Sequence, residues 1–187
     1  MGLAELRDKY LRFVEETNKT PCCFVFALDV LLQGGVEVGT YQAFGKRGVT
    51  TREEERLLAK AAQERGWRKR GKVTGLCVEM VYPPDMREEV RGLIGDQIRR
   101  EWGNSGPEAG MMITRSGTMK GVSHVAAVIK GEGGQPVKWD AQDYPGLSRI
   151  LSRRELGEEI GQCLEDPGGE IVAIGFRVRI PDPRNYR

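Results

Sequence analysis

The 187-residue chain carries 29 Lys and Arg against 27 Asp and Glu, a formal charge of +2, which creates no global field for a polyanionic partner. Its content, 39% hydrophobic and 30% charged, fits an ordinary globular protein and excludes a disordered chain. No apolar run reaches the roughly 18 to 20 residues of a membrane span, and any histidine-dependent chemistry must run through His124, the only histidine.

In chain order, Leu3, Leu6, Tyr10, Phe13 and Val14 recur at a helical period and predict a first helix over Leu3–Glu16. Its acidic residues are not those of a secretory signal. Thr20 and Pro21 read as the cap and first position of a second helix, the almost wholly apolar CCFVFALDVLLQ, stopped by Gly34 and Gly35. The stretch GVEVGTYQAFG reads as a strand ending at Gly45. Thr51 and Glu54 form a capping-box pattern that opens a charged surface helix to Gly66. Lys72–Tyr82 reads as a strand closed by Pro83 and Pro84, and Asp85 as the cap of a helix running to about Trp102. After a loop over Gly103–Gly110, three strands are expected in MMIT, SHVAAVI and PVKWDAQ, then a helix at Arg153–Leu164 and a last strand at Ile171–Ile180. Helices fill the first part, to about residue 105, and strands the rest, without βαβ alternation. The fold class is therefore α+β, a single domain over residues 1–187.

Cys22, Cys23, Cys77 and Cys163 contain no Cys-x-x-Cys pair, and one histidine completes no zinc site. Reduced thiols, a cytoplasmic setting and no metal or cofactor are the expectation. The glycines at 131, 133 and 134 lack a Walker ending and read as a turn. Arg65–Lys72 (RGWRKRGK) is a basic run with a tryptophan that reads as a solvated helix end, with a nucleic-acid contact as the alternative.

Ser123–Ile129 and Gln135–Gln142 read as a β-hairpin around that glycine-rich loop. Centring the turn on Glu132 sets His124 directly opposite Asp140, within hydrogen-bonding reach. Val125, Ala127, Ile129, Val137 and Trp139 then share the other face. A histidine oriented by a carboxylate is the base and orienter of a nucleophilic site. The candidate nucleophile is a cysteine in the first turn of the buried second helix, where unpaired N–H groups and the positive end of the dipole favour a thiolate.

These segments resemble the papain-like superfamily of cysteine hydrolases. In that family a catalytic cysteine begins a buried helix, often followed by an aromatic residue, as in Cys23-Phe24-Val25-Phe26-Ala27 running to Gly34. The histidine opens a later strand and Asn or Asp follows on the next, as in SHVAAVI and VKWD. Aspartate as third member, with Asp140-Ala141-Gln142, is similar to papain-fold toxin domains described as glutamine deamidases. The hairpin also resembles that of bacteriocin-processing peptidases, transglutaminases and arylamine acetyltransferases. The resemblance implies a papain-like arrangement, with the N-terminal helices and buried nucleophile helix packed on an antiparallel C-terminal sheet. It implies Cys23 as nucleophile in preference to Cys22, His124 as general base and acid, and Asp140 as orienter. Papain-type enzymes place an oxyanion-hole glutamine before the nucleophile. Here only Thr17, Asn18 and Thr20 stand there, so Asn18 is the candidate amide donor, and Gln142 a candidate support or substrate contact.

The expected function is acyl transfer on a protein amide, as a glutamine deamidase or a cysteine protease. A toxin or effector domain delivered into a target cell, with an inhibitor or immunity protein as partner, follows from the same resemblance. A transglutaminase-like enzyme and a non-catalytic binding module on the same scaffold are the alternatives.

Overall fold

A computed structural model describes residues 2–44, 50–64, 69–70, 73–74, 77–81, 88–117, 122–176 and 178. Six helices and eight strands follow one another as α1 (Leu3–Thr17), α2 (Cys23–Leu31), α3 (Val38–Phe44), α4 (Thr51–Glu64), β1 (Lys69–Arg70), β2 (Val73–Thr74), β3 (Cys77–Val81), α5 (Glu88–Asn104), β4 (Gly110–Ser116), β5 (Ser123–Lys130), β6 (Pro136–Trp139), β7 (Ser148–Ile150), α6 (Arg153–Glu165) and β8 (Glu170–Ile174). The strands form one antiparallel sheet in the order β1-β2-β3-β8-β4-β5-β6-β7. The α+β class holds. The sheet is not purely C-terminal, however: β1 to β3 come from the first half and join it through the β3–β8 ladder.

Strand alternation divides the core in two. Met112, Val125, Ala127, Val137, Trp139 and Val172 pack with α1, α2 and α3, while Met111, Ile113, Val128, Ile171 and Ala173 pack with α5 and α6. Helix α2 is buried from Phe24 to Val30. Each large apolar side chain it buries contributes about 1.5–3 kcal/mol, so its position is fixed by packing rather than by propensity.

Several sequence expectations shift. The segment expected as a strand ending at Gly45 is helix α3, because Tyr41 turns inward to Tyr10, Phe13 and Asp29, and the apolar Val36 and Val38 only mimic alternation. Pro21 precedes α2 instead of opening it, so Cys22 is the N-cap and Cys23 the first helical residue. The box at α4 is Thr50 with Glu53, one residue earlier than Thr51 and Glu54, since the Thr50 N–H and hydroxyl both donate to the Glu53 carboxylate. Strand β7 has no counterpart among the expected elements. Asp85, Pro83, Pro84, most of Arg65–Lys72, the Cys77 side chain and the end of the last expected strand lie outside the described residues.

The hairpin is correct in its faces and displaced in its register. Ala127 pairs with Trp139 and Ile129 with Val137, so the turn centres on Gly133, not Glu132. The Gly131 N–H donates to the Gln135 carbonyl at 2.8 Å, closing a single 3-10 turn. Gly133 (φ 81°) and Gly134 (φ 80°) adopt the left-handed backbone this closure needs. The pairing moves by two residues, so every side chain keeps its face. Asp140 becomes the diagonal neighbour of His124 instead of its direct partner.

Candidate active site

Three elements converge where β5 begins. Cys23 starts α2, His124 is the second residue of β5, ahead of its ladder with β6, and Asp140 directly follows β6. The Cys23 sulfur lies 4.0 Å from the Ser123 carbonyl oxygen. The His124 ring and the Val125 backbone lie near enough to draw the Cys23 thiol downward. Across the ring, Nε2 lies 2.9 Å from Asp140 Oδ1 and 3.0 Å from Oδ2. A carboxylate only accepts, so Nε2 carries a proton, and Nδ1 is the ring nitrogen not engaged by Asp140. The diagonal placement serves well enough, because an imidazole spans the longer gap.

Asp140 is 5% exposed and fully engaged. Burial pushes its carboxyl up, but the His124 hydrogen bond, the Gln142 N–H and the charges of His124 and Lys138 together bring it below the usual range. The Gln142 N–H donates to Oδ1 at 2.9 Å, and Lys138 Nζ lies 3.7 Å from Oδ2. His124 is raised to about 9, chiefly by its hydrogen bond to Asp140, then by that to Cys23, against burial. The expected lowering of the Cys23 thiol is overturned. Its contact with the Cys22 side chain and its burial push it up to about 12, and His124 and the Val125 N–H pull back only in part. Both shifts favour the protonated form of each group.

The remaining sequence candidates fall in different places. Asn18 is exposed at the end of α1 with φ 50°, where asparagine tolerates the left-handed C-cap. Among the described residues, no hydrogen bond links its side chain to Cys23, His124 or Asp140, and no glutamine replaces it. Gln142 touches the site through its main chain, with its side chain exposed. Sequence reasoning missed Lys138, which is 7% exposed and whose ammonium bonds Glu159 Oε1 at 2.8 Å. Its position two residues before Asp140, on the same face of the strand, was the available signal. The N-cap Cys22 makes no side-chain cap hydrogen bond to α2, and the first N–H groups of a helix are the donors that suit a developing oxyanion.

Among the described residues no cluster of three or more His, Cys, Asp or Glu could hold a metal, and no helix is long and apolar enough to cross a membrane. No protein-family model matches the chain, and no curated protein sequence matches it. A solved structure titled crystal structure of Pseudomonas avirulence protein AvrPphB is similar with a TM-score of 0.36 and 13% identity, over 84% of this chain and 91% of that one. A likeness of that size carries no inference about fold or chemistry.

Proposed function

We propose that the chain is a cysteine hydrolase of papain-like type that attacks an amide of a protein substrate through Cys23, His124 and Asp140. One observation carries the reading: the single imidazole stands between a buried carboxylate on Nε2 and a thiol at the start of a buried helix. A histidine that only braced a strand would not need the second contact.

In the proposed reaction, an imidazolium first loses its Nδ1 proton to solvent while Nε2 keeps the proton hydrogen-bonded to Asp140. Neutral Nδ1 then takes the Cys23 proton as sulfur adds to the carbonyl carbon. The α2 N–H groups stabilise the oxyanion, and His124 returns the proton to the departing nitrogen. Water, activated by the same ring, cleaves the thioester and frees Cys23. If the nitrogen is that of a glutamine side chain, ammonia leaves and the product is glutamate. If it is a peptide nitrogen, the chain is cut. The resemblance of Asp140-Ala141-Gln142 to papain-fold toxin domains described as glutamine deamidases sets the deamidase beside the protease as the two products to test, and delivery as an effector is part of the same proposal.

Two measurements test it. Iodoacetamide alkylation of each cysteine is followed by peptide mass spectrometry from pH 6 to 10. Cys23 should slow at least about tenfold in His124→Ala, with Cys163 unchanged. An unchanged Cys23 rate removes the catalytic reading and leaves a binding module. Intact-mass analysis of a glutamine-bearing protein then separates the products: deamidation adds about one dalton without fragments.

A further inference from the structure

The charges around the His124–Asp140 pair form a connected arrangement over four elements. Lys138, on β6, lies 3.7 Å from Asp140 Oδ2 and 2.8 Å from Glu159 Oε1. Arg115, on β4, pairs directly across the ladder with His124 and sends its guanidinium to Glu159 Oε2 at 2.9 Å. Arg149, on β7, reaches Glu159 Oε1 at 3.5 Å and Glu155 at 2.9 Å. Glu159, on α6, thus holds the two cations that flank the pair, one from each strand beside β5.

A buried lysine needs a partner, and one carboxylate suffices. Lys138 has two, and the second is the carboxylate that orients His124. We propose that Lys138, braced by Glu159, is a positioning residue of the Cys23 site: its ammonium holds Asp140 ionised and aimed at His124 and limits how tightly Asp140 retains the His124 proton. The inference rests on the proposed Cys23–His124–Asp140 reading. The physics is Coulombic. A cation beside the carboxylate withdraws part of the negative potential the imidazolium feels, strongly so where water is sparse. The same cation favours the ionised carboxylate, in accord with the lowered Asp140. Too little restraint leaves His124 locked as imidazolium, and too much loosens its hold on Asp140.

The lone histidine makes this measurable. In a proton NMR titration of the 187-residue chain, the ring C2 proton of His124 is the only histidine C2 signal. Lys138→Met should move its midpoint to higher pH and slow Cys23 alkylation at pH 8 about threefold. Glu159→Gln, which frees the ammonium for Asp140, should move the midpoint lower and quicken alkylation. Lys138→Arg should stay near wild type. In the Lys138→Met background, Glu159→Gln should lose most of its effect, since its influence passes through Lys138. That double variant also leaves neither of the two as an unpaired buried charge, so it guards against a simple folding failure.

Asp140→Asn separates the two levels. If it leaves the His124 midpoint unmoved, the site reading itself falls, and this inference with it. If it lowers the midpoint while Lys138→Met and Glu159→Gln, both folded, leave it in place, only the role of Lys138 is overturned. That role is equally overturned if Lys138→Arg behaves as Lys138→Met.

Discussion

Among the described residues two aspartates are buried, Asp29 and Asp140, and they are used in opposite ways. Asp29, on α2, is fully buried and saturated by fixed donors: Lys9 Nζ at 2.5 Å, Tyr10 hydroxyl at 2.7 Å, Tyr41 hydroxyl at 2.9 Å and the Val36 N–H at 2.7 Å. These donors come from α1, α3 and the turn after α2, so one carboxylate ties the helical layer together. Burial, above all, pushes both tyrosines well above their ordinary range, so neither changes state at working pH. Asp140 is almost as buried but binds an imidazole, a group whose proton count changes near working pH and which the Cys23 thiol also influences. A carboxylate surrounded by permanent donors is a structural tie. One given a partner that can change its proton count is poised for chemistry.

The sharpest way to break that contrast is to remove each carboxylate. Asp29→Ala strands Lys9 and two hydroxyls in the core and should cost about 3–5 kcal/mol in urea unfolding. Asp140→Asn should cost clearly less while lowering the reactivity of Cys23. Equal stability losses would mean that both aspartates are structural.

Next comes pH. The folded His124 value of about 9 lies above its ordinary 6.5, so its contribution is complete below about pH 6.5 and is lost as pH rises through 9. After allowance for solvent screening the loss should be about 2 kcal/mol, read from urea midpoints at pH 6 and pH 9.5. In His124→Ala this slope should flatten. Asp140 has the opposite sense: its lowered value gives stability above the ordinary carboxyl range that is lost as pH falls through the folded value. The tyrosines about Asp29 are raised, so their contribution fades only above their ordinary 10. Between pH 6.5 and 9 they are silent.

A smaller effect is expected at Cys22. Its side chain is the leading upward influence on the Cys23 thiol. Cys22→Ala should therefore quicken Cys23 alkylation at pH 7, about tenfold. A slower rate would make Cys22 a helper rather than a brake.

Much of this is legible in the sequence where one local signal suffices. The period of Leu6, Tyr10 and Phe13 marks α1, and an unbroken apolar run marks α2 as buried. Alternation in β5 and β6 puts Val125 and Trp139 on one face whatever the exact turn. Features decided by tertiary partners are not legible in the same way. Val38–Phe44 forms a helix because Tyr41 meets Asp29, a contact made after the chain has folded back. The hairpin register follows the closure from Gly131 to Gln135, which pattern alone does not fix. The helix terminus alone argues for a low Cys23 thiol, but its neighbour and its burial outweigh that. Asn18 ends a helix, a role its position after Thr17 already allows. The burial of Lys138 is not legible, because its partner Glu159 lies 21 residues away on α6.

The central claim is that one imidazole is shared between Asp140 and Cys23, and the single histidine signal tests it without any substrate. The His124 ring should titrate with a midpoint near 9. Asp140→Asn should lower that midpoint most, and Cys23→Ser should lower it less, following the order of the two hydrogen bonds. A midpoint near the ordinary 6.5 that neither substitution moves would contradict the account.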